Sequence, residues 1–219
     1  MEQILLIGDL HSKWASYIDI LRDSGIERSI QVGDFGWGMS LDPDPASSAF
    51  PKQFQQHLLT EDLDCIGGNH KYFRGNHDNP VLCAQHKHCL PDVYVDDSIG
   101  LMSVAGAFSI DRGNRTLGYD WWPEEELSYD QLFAAIDMYE KVKPRVMLSH
   151  DCPESVVGHM FSRYNPDFGS RTRSALDNMF SIHQPDLWVF GHWHNSHVYH
   201  QQGTKFVCLN ELETMVIDT

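Results

Sequence analysis

The sequence predicts an α/β fold, and three observations carry that reading: short aliphatic runs ending at glycine or a small polar residue, apolar positions at helical spacing between those runs, and Asp or His residues just beyond them. Ile4 to Ile7 ends at Gly8, and Trp14, Tyr17, Ile18 and Leu21 then recur at helical spacing until Gly25. Ser29 to Val32 reads as a second strand closing at Gly33. Gly8-Asp9 and Gly33-Asp34 therefore both lie beyond the carboxyl ends of strands in a βαβ unit, and both acids face one edge.

From Phe35 to Ala49 the Gly, Asp, Pro and Ser content predicts an irregular loop, with Asp42-Pro43-Asp44-Pro45 too rigid for regular structure. A helix follows near Pro51 to Leu59. Tyr72-Phe73 is read as the end of a strand entering Gly75-Asn76-His77-Asp78. Val93-Tyr94-Val95 and Gly100 to Ile110 give two more strands around a turn. Ser128 and Gln131 form a capping box that opens a helix with Leu132, Phe133, Ile136 and Tyr139 at its apolar positions, and Pro144 stops it. Arg145 to Leu148 then leads into Ser149-His150-Asp151. After a helix from about Ser170 to near Pro185, Leu187 to Phe190 leads into Gly191-His192-Trp193-His194. Val198-Tyr199 and Phe206-Val207 across Gln202-Gly203 resemble a hairpin.

A chain of 219 residues, 42% hydrophobic and 21% charged, has the size for one sizeable core, which predicts a single domain over residues 1–219. No apolar run approaches membrane-spanning length, and Met1-Glu2-Gln3 passes straight into a strand without a basic region or cleavage signature, so a cytoplasmic protein is expected. The five cysteines are odd in number and scattered, poor material for a disulfide framework. A formal charge of −15 disfavours extended nucleic-acid binding, but metal ions concentrate positive charge locally and leave room for a small phosphorylated ligand.

Singly, none of the short motifs is specific. As an ordered set, Asp9-Leu10-His11, Gly33-Asp34, Gly75-Asn76-His77-Asp78, His150 and Gly191-His192-Trp193-His194 resemble the five motifs of the calcineurin-like metallophosphoesterase superfamily over about residues 4–194. The resemblance implies a β-sandwich core flanked by helices (αββα) with its metal site at strand carboxyl ends. It also implies a ligand set: Asp9, His11 and His194 on one metal, Asn76, His150 and His192 on the other, and Asp34 bridging. Carboxylate, imidazole and amide oxygen together suit Mn²⁺, with Fe or Zn²⁺ as alternatives. Two cations roughly 3.5–4 Å apart lower the pKa of a shared water and clamp an in-line displacement, so the nucleophile is a metal-bridging hydroxide. His77, beside Asn76, matches the family's general acid, and Asp78 is read as orienting or recharging it.

A second Gly-Asn-His, Gly68-Asn69-His70, is set aside because Lys71 follows where the family has an acid. Cys83-Ala84-Gln85-His86-Lys87-His88-Cys89 holds four potential zinc ligands, but their spacing fits no ordinary structural zinc pattern, and the segment is read as a loop or helix with incidental thiols. Ser109-Ile110-Asp111-Arg112, Arg115 and Trp121-Trp122-Pro123-Glu124-Glu125-Glu126 resemble a segment of a bacterial and phage subgroup of the superfamily. There Arg112 or Arg115 either neutralises a substrate phosphate or pairs with surface glutamates, and Trp121 and Trp122 either wall the cleft or pack the core.

The resemblance thus implies a hydrolase of small or flexible phosphoesters, diester or monoester, nucleotides among them. The superfamily's Ser/Thr protein phosphatases carry an Arg shortly after the bridging Asp. Here Phe35-Gly36-Trp37-Gly38 follows Asp34, so a protein substrate is the runner-up. A catalytically silent metal-binding interaction module is the alternative from another class, and its mark would be loss of a ligand or of the acid.

Overall fold

The computed structural model describes residues 2–37, 52–161 and 169–219. Its first strand, β1 (Gln3–Ile7), sends Ile4 and Leu6 to one side and Leu5 and Ile7 to the other, and both sides are buried. A strand covered on both faces reads in sequence as a continuous apolar run. Helix α1 (Trp14–Ser24) returns the chain to β2 (Arg28–Gln31), and α2 (Lys52–Ile66) returns it to β3 (Asn69–Tyr72). These strands form a parallel set, β1 beside β2 beside β3. The expected loop beyond Phe35 is described only to Trp37, so Asp42-Pro43-Asp44-Pro45 lies outside the described residues.

A short helix α3 (Pro80–Gln85), capped by the Asn79 side chain, precedes β4 (Val93–Asp96) and its antiparallel partner β5 (Leu101–Val104). β5 is shorter than the expected run to Ile110. Past Val104 the ladder gives way to bonds from Gly106 N to Arg74 O and from Ala107 N to Glu125 O, which turn the chain across the end of the sheet. Helix α4 (Tyr129–Val142) opens on the capping box of Ser128 and Gln131 and ends at Lys143, which adopts a left-handed conformation just before Pro144. Leu132 and Tyr139 are buried, whereas Phe133 stands 63% exposed on the far side of the helix.

β6 (Val146–Ser149), α5 (Glu154–Met160), α6 (Arg171–Ile182) and β7 (Leu187–Phe190) continue the alternation. The hairpin of β8 (His197–Gln201) and β9 (Thr204–Cys208) turns through positive φ at Gln202 and Gly203. A last strand, β10 (Thr214–Asp218), pairs antiparallel with β1 from Gln3↔Asp218 to Ile7↔Thr214.

The strands form two sheets, β10-β1-β2-β3 and β4-β5-β6-β7-β9-β8. Ile4, Leu6, Ile30 and Val32 of the first meet Leu101, Val146, Leu148, Val189 and Val207 of the second in a shared core. Helices α1 and α2 cover the outer face of the smaller sheet through Tyr17, Leu21, Leu59 and Leu63. On the larger sheet α4, α5 and α6 pack Tyr139, Val157, Leu176 and Phe180 against Met147, Trp188 and Phe206. The layers run helix, sheet, sheet, helix, and the carboxyl ends of β1, β2, β3, β6 and β7 open at one edge. Among the described residues no helix is long and apolar enough to cross a membrane, and all five cysteines are free.

Candidate metal centre

Each loop at that edge begins where a strand stops, and its first polar residue turns inward. Asp9 follows β1, Asp34 follows β2, Asn76 follows β3, His150 follows β6, and His192 and His194 follow β7. Of the eight non-glycine residues with positive φ among the described residues, four are His11, Asp34, His192 and His194. Such backbone is costly for residues with a Cβ, and its concentration here is the signature of a site held by the surrounding fold. Close approach does the rest. A Cβ on Gly75 would collide with the Asp34 carboxylate and His150, and one on Gly191 with the Asp9 carboxylate.

Two groups result. Asp9, His11, Asp34 and His194 bring ligand-type atoms within 4.8 Å of one another, and Asp34, His150 and His192 do the same. Asp34 belongs to both. Asn76 joins the second group, its Oδ1 lying 3.1 Å from His150 Nε2. His150 Nδ1 sits 2.9 Å from the Val32 carbonyl, a bond that requires the proton on Nδ1. In the neutral ring the Nε2 lone pair then faces Asn76 Oδ1 and, at 3.2 Å, Asp34 Oδ1. Electron-rich atoms converge in this way when a proton or a cation lies among them. Asp34 Oδ2 is buried with no hydrogen-bond partner, the state of an oxygen reserved for a cation. The residues present therefore fit divalent metal.

The charges within the cluster are strongly coupled. Burial opposes ionisation of Asp34, but His150, His77 and His11 hold its carboxyl well below the usual range. Burial acts equally against charge on His150, and Asp34 outweighs it, pushing that imidazole up. Burial and the neighbouring His150 push His192 down to about 3, so its ring is neutral and able to ligate. The bond to Asp9 raises His194.

His77 stands beside these groups and in neither of them. Its Nε2 is 3.9 Å from Asp34 Oδ2, and its main-chain N–H donates to Asp34 Oδ1 at 2.9 Å. The side chain that reaches the ring is Arg115, with Nη1 2.7 Å from Nδ1 and Nη2 2.9 Å from Nε2, while the same guanidinium donates to Asp111 at 2.7 Å. Asp78 has a different orientation from the one the sequence led us to expect. Both its oxygens are taken by main-chain N–H groups, those of Phe35 at 3.0 Å, Gly36 at 2.7 Å, Trp37 at 2.9 Å and Gly75 at 2.8 Å. It ties the loop after Asp34 to the loop holding Asn76, and its carboxylate is spent on that backbone, not on the His77 ring. Arg112 is exposed and lies 4.4 Å over the Phe108 ring.

The other expectations sort by position. Asn69 and buried His70 begin β3, at the end of the sheet remote from the cluster, and His70 bonds Ser29 instead. Cys83, His86, His88 and Cys89 form no metal-type group among the described residues, and His86 bonds Tyr72 and Thr60. Trp122 is buried and Trp121 half-buried. Sequence reasoning gave no role to Asp151, which accepts from Trp193 Nε1 at 2.9 Å and lies 3.9 Å from His192 Nε2, or to buried Arg173, 3.6 Å from Asp151. Adjacency to His150 was the available signal for Asp151; nothing local marked Arg173.

The family model for calcineurin-like phosphoesterases matches residues 3–196. The chain belongs to that family. Calcineurin-like phosphoesterases are metal-dependent hydrolases, and the chain is an enzyme of that class. No curated protein matches it. In fold this phosphoesterase is similar to a dimetal phosphatase from Danio rerio (TM-score 0.58, 13% identity, 97% of this chain and 88% of that one). It is also similar to a Thermus thermophilus protein (0.55, 13%, 97% and 90%). A third likeness is to a putative 5′-nucleotidase from Staphylococcus aureus, at 0.53 and 12% identity, covering 99% of this chain and 51% of that one.

Proposed function

We propose that the chain hydrolyses small or flexible phosphoesters, nucleotides among them, at a dinuclear centre. Asp9, His11 and His194 would hold one divalent cation, Asn76, His150 and His192 the other, and Asp34 both. The observation that carries this reading is the membership of Asp34 in both ligand groups, with one oxygen beside His150 and the other without a hydrogen bond. The mixed nitrogen and oxygen donors favour Mn²⁺, Fe or Zn²⁺ over Ca²⁺. The printed descriptions of two fold neighbours, a dimetal phosphatase and a putative 5′-nucleotidase, support it from outside the chain.

When bound, the cations supply Lewis-acid polarisation of the phosphoryl group and activation of water. The remaining work belongs to side chains. His77 is close enough to the shared carboxylate to face a substrate's leaving oxygen and donate a proton to it. Arg115 holds the His77 ring from its other side, and a substrate phosphate would compete with Asp111 for the same guanidinium, whose planar fork matches phosphate geometry. Arg112, exposed on the same segment, offers a second positive charge at the rim. Asp78 contributes through the main chain that it holds.

The test is to strip metal by prolonged chelation, count ions taken up on adding Mn²⁺, and assay bis-p-nitrophenyl phosphate, p-nitrophenyl phosphate, nucleotides, cyclic nucleotides and phosphopeptides. Two ions per chain with restored hydrolysis of the small esters is expected. Full activity after chelation, or uptake of a single ion, refutes the dinuclear reading, and marked preference for phosphopeptides favours a protein phosphatase.

A further inference from the structure

Asparagine is an awkward metal ligand because its carboxamide has two ends of nearly the same shape and opposite hydrogen-bonding character. With Oδ1 toward His150 and Asp34, Asn76 presents a lone pair to the centre. Turned over, it would present two N–H donors and repel a cation. Some neighbour must therefore set the sense of the amide. Asn76 Nδ2 donates to Ser109 Oγ at 2.9 Å.

That bond alone does not decide the matter. A hydroxyl both donates and accepts, so Ser109 would bond equally well to a turned-over amide by donating to its oxygen. Glu125 removes the ambiguity. Its carboxylate accepts the Ser109 main-chain N–H at 3.1 Å and also bonds the Ser109 hydroxyl. An ionised carboxylate only accepts, so the single hydroxyl proton is drawn toward Glu125 and a lone pair is left facing Asn76. Asn76, Ser109 and Glu125 are 2%, 1% and 2% exposed, which keeps water from substituting for any of them. Glu125 is itself anchored. Arg74, two residues before Asn76, donates to the carbonyls of Glu124 and Glu125 at 2.8 and 3.2 Å and binds Asp92 through two bonds.

We infer that Ser109 and Glu125 are positioning residues that fix the sense of the Asn76 carboxamide and so complete the second cation's shell, an inference that rests on the dinuclear reading above. The segment from Ala105 to Glu125, which leaves the sheet after β5, thereby acts on the centre without touching a metal.

The experiment is Mn²⁺ titration of the metal-free full-length protein, with free Mn²⁺ followed by electron paramagnetic resonance. Outer-shell partners of metal ligands typically account for about 10–100-fold in affinity, so Ser109→Ala should weaken the second ion by that factor and leave the first within about twofold. Ser109→Thr keeps the hydroxyl and should restore wild-type binding. Should the alanine variant not fold, Ser109→Cys, with a thiol that is a weak donor and a weak acceptor, should show the same selective loss. The sharpest arm uses Asn76→Asp, whose two oxygens are equivalent and have no sense to fix. In that background Ser109→Ala should cost little of the second ion's affinity. An equal loss in both backgrounds would show that Ser109 only fills space, and a Ser109→Ala chain that binds two ions like wild type overturns the inference alone. A wild-type chain that binds one ion overturns the dinuclear reading and this inference together.

Discussion

The Nε2 atoms of His11 and His194 lie 2.7 Å apart, and both face Asp9 Oδ2, at 3.8 and 3.0 Å. Two neutral imidazoles can place one proton in such a gap. A cation relieves the crowding of lone pairs more completely and must first displace that proton. Metal should therefore stabilise the fold. Mn²⁺ at about 100 times its dissociation constant contributes about 2.7 kcal/mol per site, which for a chain of this size raises the melting temperature by roughly 5–10 °C. Differential scanning calorimetry of chelated and Mn²⁺-loaded protein measures it. An identical melting temperature across the Mn²⁺ range would mean that these atoms do not bind the ion.

The two Gly-Asn-His copies sit at opposite ends of one strand. β3 starts at Asn69, and Asn76 lies past its carboxyl end, 3.1 Å from His150 through Oδ1. Asn76→Ala should release the second ion and lower turnover by about 100-fold or more, whereas Asn69→Ala, at an exposed strand start, should change stability by about 0.5 kcal/mol or less. Metal content and turnover measured on both variants decide between them, and the reverse ranking would place the ligand on the wrong copy.

Asp78 is fully buried and accepts from the main-chain N–H groups of Phe35, Gly36, Trp37 and Gly75. Burial and the Asp34 charge push its carboxyl up, and those backbone donors oppose the rise. A buried donor left unsatisfied costs about 1–3 kcal/mol, so Asp78→Ala should destabilise even the metal-free protein by about 4 kcal/mol or more. Urea unfolding in excess chelator is the measurement. A variant with wild-type stability and a slowed reaction would return Asp78 to service of the His77 proton.

The metal-ligand candidates were legible because each is the first polar residue after an apolar run, and Gly33, Gly75 and Gly191 mark where the backbone comes close. The strands were legible as runs and not as alternation, since Ile4 and Leu5 are both buried, on opposite faces of one sheet. What stayed hidden depends on distant pairing. Nothing near Thr214 announces that β10 will lie beside β1, and nothing near Arg115 announces a contact with His77, 38 residues away. Asp78 lay in a recognisable motif, yet its partners are main-chain N–H groups, which every sequence has. Helical spacing placed Phe133 among the apolar positions of α4, but the face it occupies is one that no other element covers.

His77 bears on catalysis most directly, because it adjoins Asn76 in sequence, faces Asp34 Oδ2 at 3.9 Å, and belongs to neither ligand group. A proton donor of this kind typically contributes about 10²–10⁴-fold, and only where the leaving oxygen needs a proton. His77→Asn should therefore keep both ions yet lose far more rate on an alkyl phosphoester than on a p-nitrophenyl ester, whose leaving group departs unaided. Arg115→Lys should show a smaller loss of the same selectivity, since a point charge cannot meet both ring nitrogens as the guanidinium does. Ion content and both rates are to be measured on one preparation. Loss of an ion would make His77 a ligand. Equal slowing of both esters with both ions in place would mean that His77 stabilises charge in the transition state and transfers no proton.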